Sequence, residues 1–138
     1  MNPEARLQSQ MVIQFSQRYQ GKKGCLIGYF ATSESAAQTS QKLSLGLVKG
    51  ASDLFYIENG EMIGIEVKAI GSSHNRQHLI EQCHFLMKVP KWGWFCDSVE
   101  MFWNIIEGGS GIDPQVVLEN CLERKIASVQ WDSVKFKK

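Results

Sequence analysis

At 138 residues the chain is long enough for one domain with a real core. Apolar residues at 43% and a formal net charge of +1 exclude a disordered chain or a uniformly basic one, although a local basic groove can sit on a neutral protein. The absence of an apolar run of membrane-spanning length, the opening MNPEARLQSQ without a signal-peptide core, and four widely spaced cysteines (Cys25, Cys83, Cys96, Cys121) with no CxxC lead to the expectation of a cytoplasmic protein, not membrane-bound, with reduced and mostly buried thiols.

In chain order, Asn2 can cap a helix with Pro3 at its first position. Leu7, Met11 and Phe15 follow at helical spacing to about Tyr19, with a stop at Gly21. Glu4 shares their face, which points it inward. Cys25 to Ala31 reads as a strand. Thr32 or Ser33 then caps a short helix from Ser35 to Leu45, ended by Gly46.

Next comes the hairpin signal Glu58-Asn-Gly-Glu61, between the runs Asp53 to Ile57 and Met62 to Ile70. Both faces of this hairpin carry apolar residues: Phe55, Ile57 and Met62 on one, Leu54, Tyr56, Ile63, Ile65 and Val67 on the other. Such a hairpin belongs inside a covered sheet. A helix from about His74 to Met87, a strand from Gly93 to Cys96 and a helix from Ser98 to Ile106 follow, the last with the stripe Val99, Phe102, Trp103 and Ile106. The order predicts an α/β fold with a central mixed sheet flanked by helices.

Gly108-Gly-Ser-Gly111 is the best linker candidate, so residues 1–108 form the main domain and 109–138 a C-terminal extension. Asp113-Pro114 can start a helix carrying Val116, Val117, Leu118 and Leu122. Val129 to Lys138 alternates in part, as an edge strand or a dimerisation or substrate-contacting tail would. The extension packs on the same domain or at a dimer interface.

The chemistry concentrates at the hairpin. If Asn59 and Gly60 form a two-residue turn, counting outward places Asp53 opposite Glu66, with Cβ atoms about 5 Å apart. Opposed like charges are destabilising unless something positive lies between them. Strand alternation puts Lys68 on the same face as Glu66. Two acids and a lysine at one point suit a divalent metal. The competing reading has Asp53 ending a turn and Glu66 with Lys68 as a solvated edge pair. Glu66 lies in an otherwise apolar strand opposite another acid, which favours the metal site.

The run Gly46-x-x-x-Gly50-x-x-Asp53, a hairpin and Ile65-Glu-Val-Lys68 resembles the PD-(D/E)XK nuclease superfamily, and within it the VRR-NUC family. The likeness covers roughly residues 3–107. It includes the family's first-helix glutamate (Glu4), its glutamine after the E-x-K (Gln77), and a later strand and helix (Gly93-Trp-Phe-Cys96, then Ser98 to Ile106). Two features depart from the pattern: Ser52 stands where the superfamily has proline, and the tripeptide behind the family name does not occur.

The resemblance implies a restriction-endonuclease-like αβα core and Mg²⁺- or Mn²⁺-dependent hydrolysis of DNA phosphodiesters. Asp53 and Glu66 would be hard oxygen ligands and the Val67 carbonyl a further one. Glu4 would complete the shell directly or through water. Lys68 would orient or help deprotonate the attacking water. Gln77 would hydrogen-bond a phosphate oxygen or that water.

His74 and His78, spaced i, i+4 on the expected helix, are a possible zinc pair, but no third ligand follows at useful spacing. They fit better as surface or phosphate-contacting residues near DNA. Lys49 and Arg76 flank the site in sequence and are the best candidates for phosphate contacts, ahead of Lys22, Lys23 and Lys42. Trp92 and Trp94 suit the core better than base stacking.

Stand-alone proteins resembling this family are typical of phages and prophages, and some act on branched DNA as dimers. A symmetric homodimer resolving Holliday junctions is the leading specific expectation, since two sites would cut two strands. Cutting of flap, single-stranded or nicked DNA in phage replication is one alternative. A non-catalytic DNA-binding module of the same fold is the other.

Overall fold

The computed structural model describes residues 1–29, 41 and 50–137. The short helix expected over 35–45, apart from Gln41, lies outside the described residues, as do Lys42 and Lys49. The elements are α1 (Pro3–Tyr19), β1 (Cys25–Gly28), β2 (Leu54–Glu58), β3 (Glu61–Val67), β4 (Ser73–Asn75), α2 (Arg76–Lys88), β5 (Gly93–Cys96), α3 (Val99–Ile106), α4 (Pro114–Glu123), β6 (Ser128–Gln130) and α5 (Trp131–Val134). The fold is mixed α/β with a mixed sheet flanked by helices. None of the described helices is long and apolar enough to cross a membrane.

Helix α1 forms as its sequence dictates. Asn2 Oδ1 accepts the Ala5 N–H at 2.7 Å, with Pro3 at the first position. It ends at Gln20 in the left-handed region, one residue before the expected glycine. The hairpin register is also the expected one. Leu54 pairs with Ile65, Tyr56 with Ile63 and Glu58 with Glu61. Asn59 (φ 54°) and Gly60 (φ 78°) both take the positive angles that a type I′ turn requires.

The main sheet runs β1-β2-β3-β5, antiparallel except for the parallel pair β3–β5. The hairpin is therefore internal and covered on both faces. On one, Leu54, Tyr56, Ile63, Ile65 and Val67 pack with Met11 and Phe15 of α1 and Phe102, Ile105 and Ile106 of α3. On the other lies α2, whose Phe85 meets Phe55 edge to face at 5.9 Å. Gly64 and Gly93 are paired across β3 and β5 beneath Leu86. A Cβ on Gly93 would stand 2.8 Å from the Leu86 Cα, so the missing side chain lets α2 lie directly on the sheet.

Long-range contacts refine three local expectations. Helix α2 starts at Arg76, not His74, because Asn75 caps it (Oδ1 accepts the His78 N–H at 2.9 Å) and Ser73–Asn75 pairs antiparallel with β6. His74 and His78 therefore do not share a helix face. In α3, Phe102, Ile105 and Ile106 are buried, whereas Val99 and Trp103 are only half-buried. Trp103 sits at the rim, donating to Gln14 at 2.9 Å beneath the Arg18 guanidinium.

The third concerns the C-terminal residues. After Gly111, Ile112 exchanges both backbone hydrogen bonds with Phe95. Val117, Leu118, Cys121, Val129, Trp131 and Val134 then join the core cluster of α2 and β5. Residues from Val129 form β6 and α5 rather than one alternating strand. Cys83, Cys96 and Cys121 are buried, Cys25 is exposed on edge strand β1, and none is in a disulfide.

Candidate active site

The site forms where β3 leaves the sheet. Asp53 immediately precedes β2, and extending the ladder one step puts it opposite Glu66. Its Oδ2 accepts the Val67 N–H at 2.8 Å, and its carbonyl accepts the Tyr29 N–H at 2.9 Å. Asp53 is thereby fixed to β3 by its side chain and to the residue after β1 by its carbonyl. Glu66 is 4% exposed and Lys68 2%, unusual values for charged groups. Lys68 Nζ stands 3.7 Å from Glu66 Oε2, and its backbone N–H donates to the Cys96 carbonyl at 3.0 Å.

Burial is the main force raising the Glu66 carboxyl well above the usual carboxylate range, and the Asp53 charge adds to it; Lys68 works the other way. Gln82 Nε2 donates to Glu66 Oε2 at 3.3 Å from the buried face of α2. Glu66 Oε1 has no hydrogen-bond partner among the described residues, and neither does Gln82 Oε1 or Ser52 Oγ. Ser52 is fully buried beside Gly64.

Glu4 reaches the same place from the first turn of α1. Its carboxylate accepts a hydrogen bond from the Ala69 backbone, and Oε2 lies 3.4 Å from His74 Nε2. Burial raises its carboxyl and the Lys68 charge opposes that rise. His74 also meets Ser72 Oγ at 2.8 Å. Burial, then the Lys68 and His78 charges, lower its imidazole to about 4, so it is neutral near pH 7.

Asp53, Glu66, Val67, Lys68, Glu4 and His74 are thus brought together, the last from a strand rather than a helix. Gln77 is not: it is exposed in the first turn of α2. The buried glutamine at the acids is Gln82, which sequence reasoning missed. Its signal was available, since Gln82 falls in the stripe of Leu79, Cys83 and Leu86. Arg76 is half-buried, and its Nε donates to the Cys121 carbonyl at 2.8 Å, tying down the end of α4. His78 is exposed. Trp92 and Trp94 are half-buried and meet edge to face at 6.4 Å, with Trp94 against the α1–α3 core.

Among the described residues no three His, Cys, Asp or Glu side chains stand as a ready-made metal cluster. A Mg²⁺ ion, however, keeps several waters and takes only one or two carboxylates. The opposed Asp53 and Glu66, with Glu66 Oε1 buried and unpartnered, fit that demand. Comparison with protein-family models, curated proteins and solved structures found no match.

Proposed function

We propose that this protein is a metal-dependent nuclease with a restriction-endonuclease-like core, similar to the VRR-NUC family, that hydrolyses DNA phosphodiester bonds. The observation that carries the reading is the meeting of half-buried Asp53 with buried Glu66 and Lys68 at the exit of β3. Burying Glu66 and Lys68 against a second acid has no use as packing. Desolvation costs several kcal/mol per ion, and hydrophobic replacements of such groups are often more stable. Function accounts for their retention.

Asp53, Glu66 and the Val67 carbonyl would hold Mg²⁺ or Mn²⁺, with Glu4 completing the shell directly or through water. The ion, when bound, supplies Lewis-acid stabilisation of charge on the phosphate. The chain supplies the rest. Lys68, held beside Glu66, can orient the attacking water and favour the approach of the phosphate. Gln82 fixes the Glu66 carboxylate from behind. The Val67 N–H holds Asp53 toward the same point.

Branched DNA cut by a symmetric homodimer is the specific substrate we propose. A labelled panel of four-way junction, flap, single strand and linear duplex tests this in Mg²⁺, Mn²⁺ or EDTA. Paired symmetric cuts confined to the junction support it. Metal-dependent cutting elsewhere keeps the nuclease and discards the junction. Binding without cutting, unchanged in Lys68→Ala, leaves a DNA-binding module of the same fold.

A further inference from the structure

The turn that follows Lys68 carries an apolar side chain into solvent. Ile70 is 68% exposed, and single exposed aliphatics are ordinary on a protein surface. What sets this one apart is the fastening of the turn that carries it. Ala69-Ile-Gly-Ser72 is a tight turn: the Ser72 N–H donates to the Ala69 carbonyl at 3.2 Å, with Gly71 at φ 81° as a type II turn requires. Ser72 Oγ donates to that same carbonyl at 2.6 Å.

The C-terminal segment fastens the turn from outside. Asp132 Oδ2 accepts the Gly71 N–H at 2.6 Å, and the Trp131 N–H donates to the Ser72 carbonyl at 2.9 Å. Asp132 is held in turn by Lys135, which also binds buried Asp97, each at 2.9 Å; Trp131 Nε1 donates to Asp97 as well. The turn is also joined to the candidate site on both sides of Ile70. Ala69 contacts the Glu4 carboxylate, and Ser72 contacts His74, which contacts Glu4.

We infer that Ile70 is a fixed apolar wedge that contacts the base or sugar beside the scissile phosphate, with Asp132 as its positioning residue. The inference rests on the nuclease reading above. The hydrogen bonds that order the turn also anchor buried Trp131, but the solvated isoleucine itself adds nothing to that core, whereas an apolar group on a fastened turn beside a phosphate-directed site can insert at a base step and unstack it. Substrates whose bases must be displaced would depend on it. Those already unstacked would not.

The experiment uses the full chain and oligonucleotides with 2-aminopurine next to the cut position, as duplex or junction and as single strand. Ile70→Ala should slow cleavage of the paired substrates by about tenfold and remove the fluorescence rise on binding, while single-strand cleavage stays within about twofold. Ile70→Phe should restore both. Asp132→Ala should reproduce part of the Ile70→Ala defect and Asp132→Asn should relieve it, with melting temperature measured for each variant.

Equal loss on every substrate, or no loss, overturns the wedge while leaving the nuclease intact. A change in oligomeric state of Ile70→Ala without DNA overturns it in favour of a contact between copies. Failure of the unmodified protein to bind or cut any of these oligonucleotides overturns the nuclease reading and the wedge with it.

Discussion

Lys68 Nζ approaches one oxygen of the Glu66 carboxylate, Oε2 at 3.7 Å, while the other, Oε1, is buried without a partner among the described residues. The pair is consequently a poor salt bridge for stability and a suitable one for receiving a cation. Glu66→Gln tests that directly. The folded pKa of Glu66 lies above its unfolded value, so the stability linked to its protonation is present below the unfolded pKa and lost as pH rises through the folded one. Glutamine mimics the protonated acid and removes this loss. We expect the stability of Glu66→Gln to fall less with rising pH than that of the unmodified protein, and its cleavage to be lost, measured by denaturant unfolding without metal and by activity with it. A variant whose stability follows the same pH curve as the unmodified protein would oppose this account.

His74 works in the opposite direction. Its folded pKa, about 4, is depressed, so its contribution is present above the unfolded value of 6.5 and is lost as pH falls through the folded one. Between those limits the unfolded chain binds the extra proton. Unfolding experiments should show the unmodified protein losing about 2 kcal/mol relative to His74→Gln from pH 7 to pH 4, after allowing for partial solvent screening. Parallel pH curves for the two proteins would contradict the neutral, buried imidazole beside Glu4 and Lys68.

Gln82 and Gln77 separate the observed site from the one expected by sequence likeness. Gln82→Leu removes the hydrogen bond from α2 to Glu66 and should weaken Mn²⁺ binding by roughly 10–100-fold in calorimetric titration, as loss of a residue supporting a ligand generally does. Gln77→Ala, at an exposed position, should leave affinity unchanged. The reverse ranking would place the functional glutamine at the helix start.

Gly93→Ala probes how closely α2 lies on the sheet. Its Cβ would meet Leu86 Cδ2 at 2.5 Å and the Leu86 backbone at 2.8 Å, which a rotamer change alone cannot relieve. A destabilisation of about 1–3 kcal/mol is expected, read as a lower unfolding midpoint at unchanged denaturant sensitivity.

What the sequence disclosed was local. Asn59-Gly60 announces its own turn, and once that turn is set the opposition of Asp53 and Glu66 is arithmetic. Asn2-Pro3 likewise fixes the phase of α1 and so the inward direction of Glu4. The features that stayed hidden depend on partners far along the chain. His74 and Asn75 look helical until β6 pairs with Ser73–Asn75. Gly108–Gly111 looks like a linker until Ile112 bonds to Phe95. Gln82 was legible as a polar residue in an apolar stripe, but a glutamine nearer the lysine drew the assignment.

The most direct test of the central claim is the rate of cleavage of labelled DNA as Mg²⁺ is titrated, for the unmodified protein, Asp53→Asn and Lys68→Ala, each shown by circular dichroism to be folded. The account predicts metal-dependent cutting abolished by EDTA, with the rate reduced at least about 100-fold in both variants. Cutting that persists in folded Lys68→Ala, or in EDTA, would contradict it.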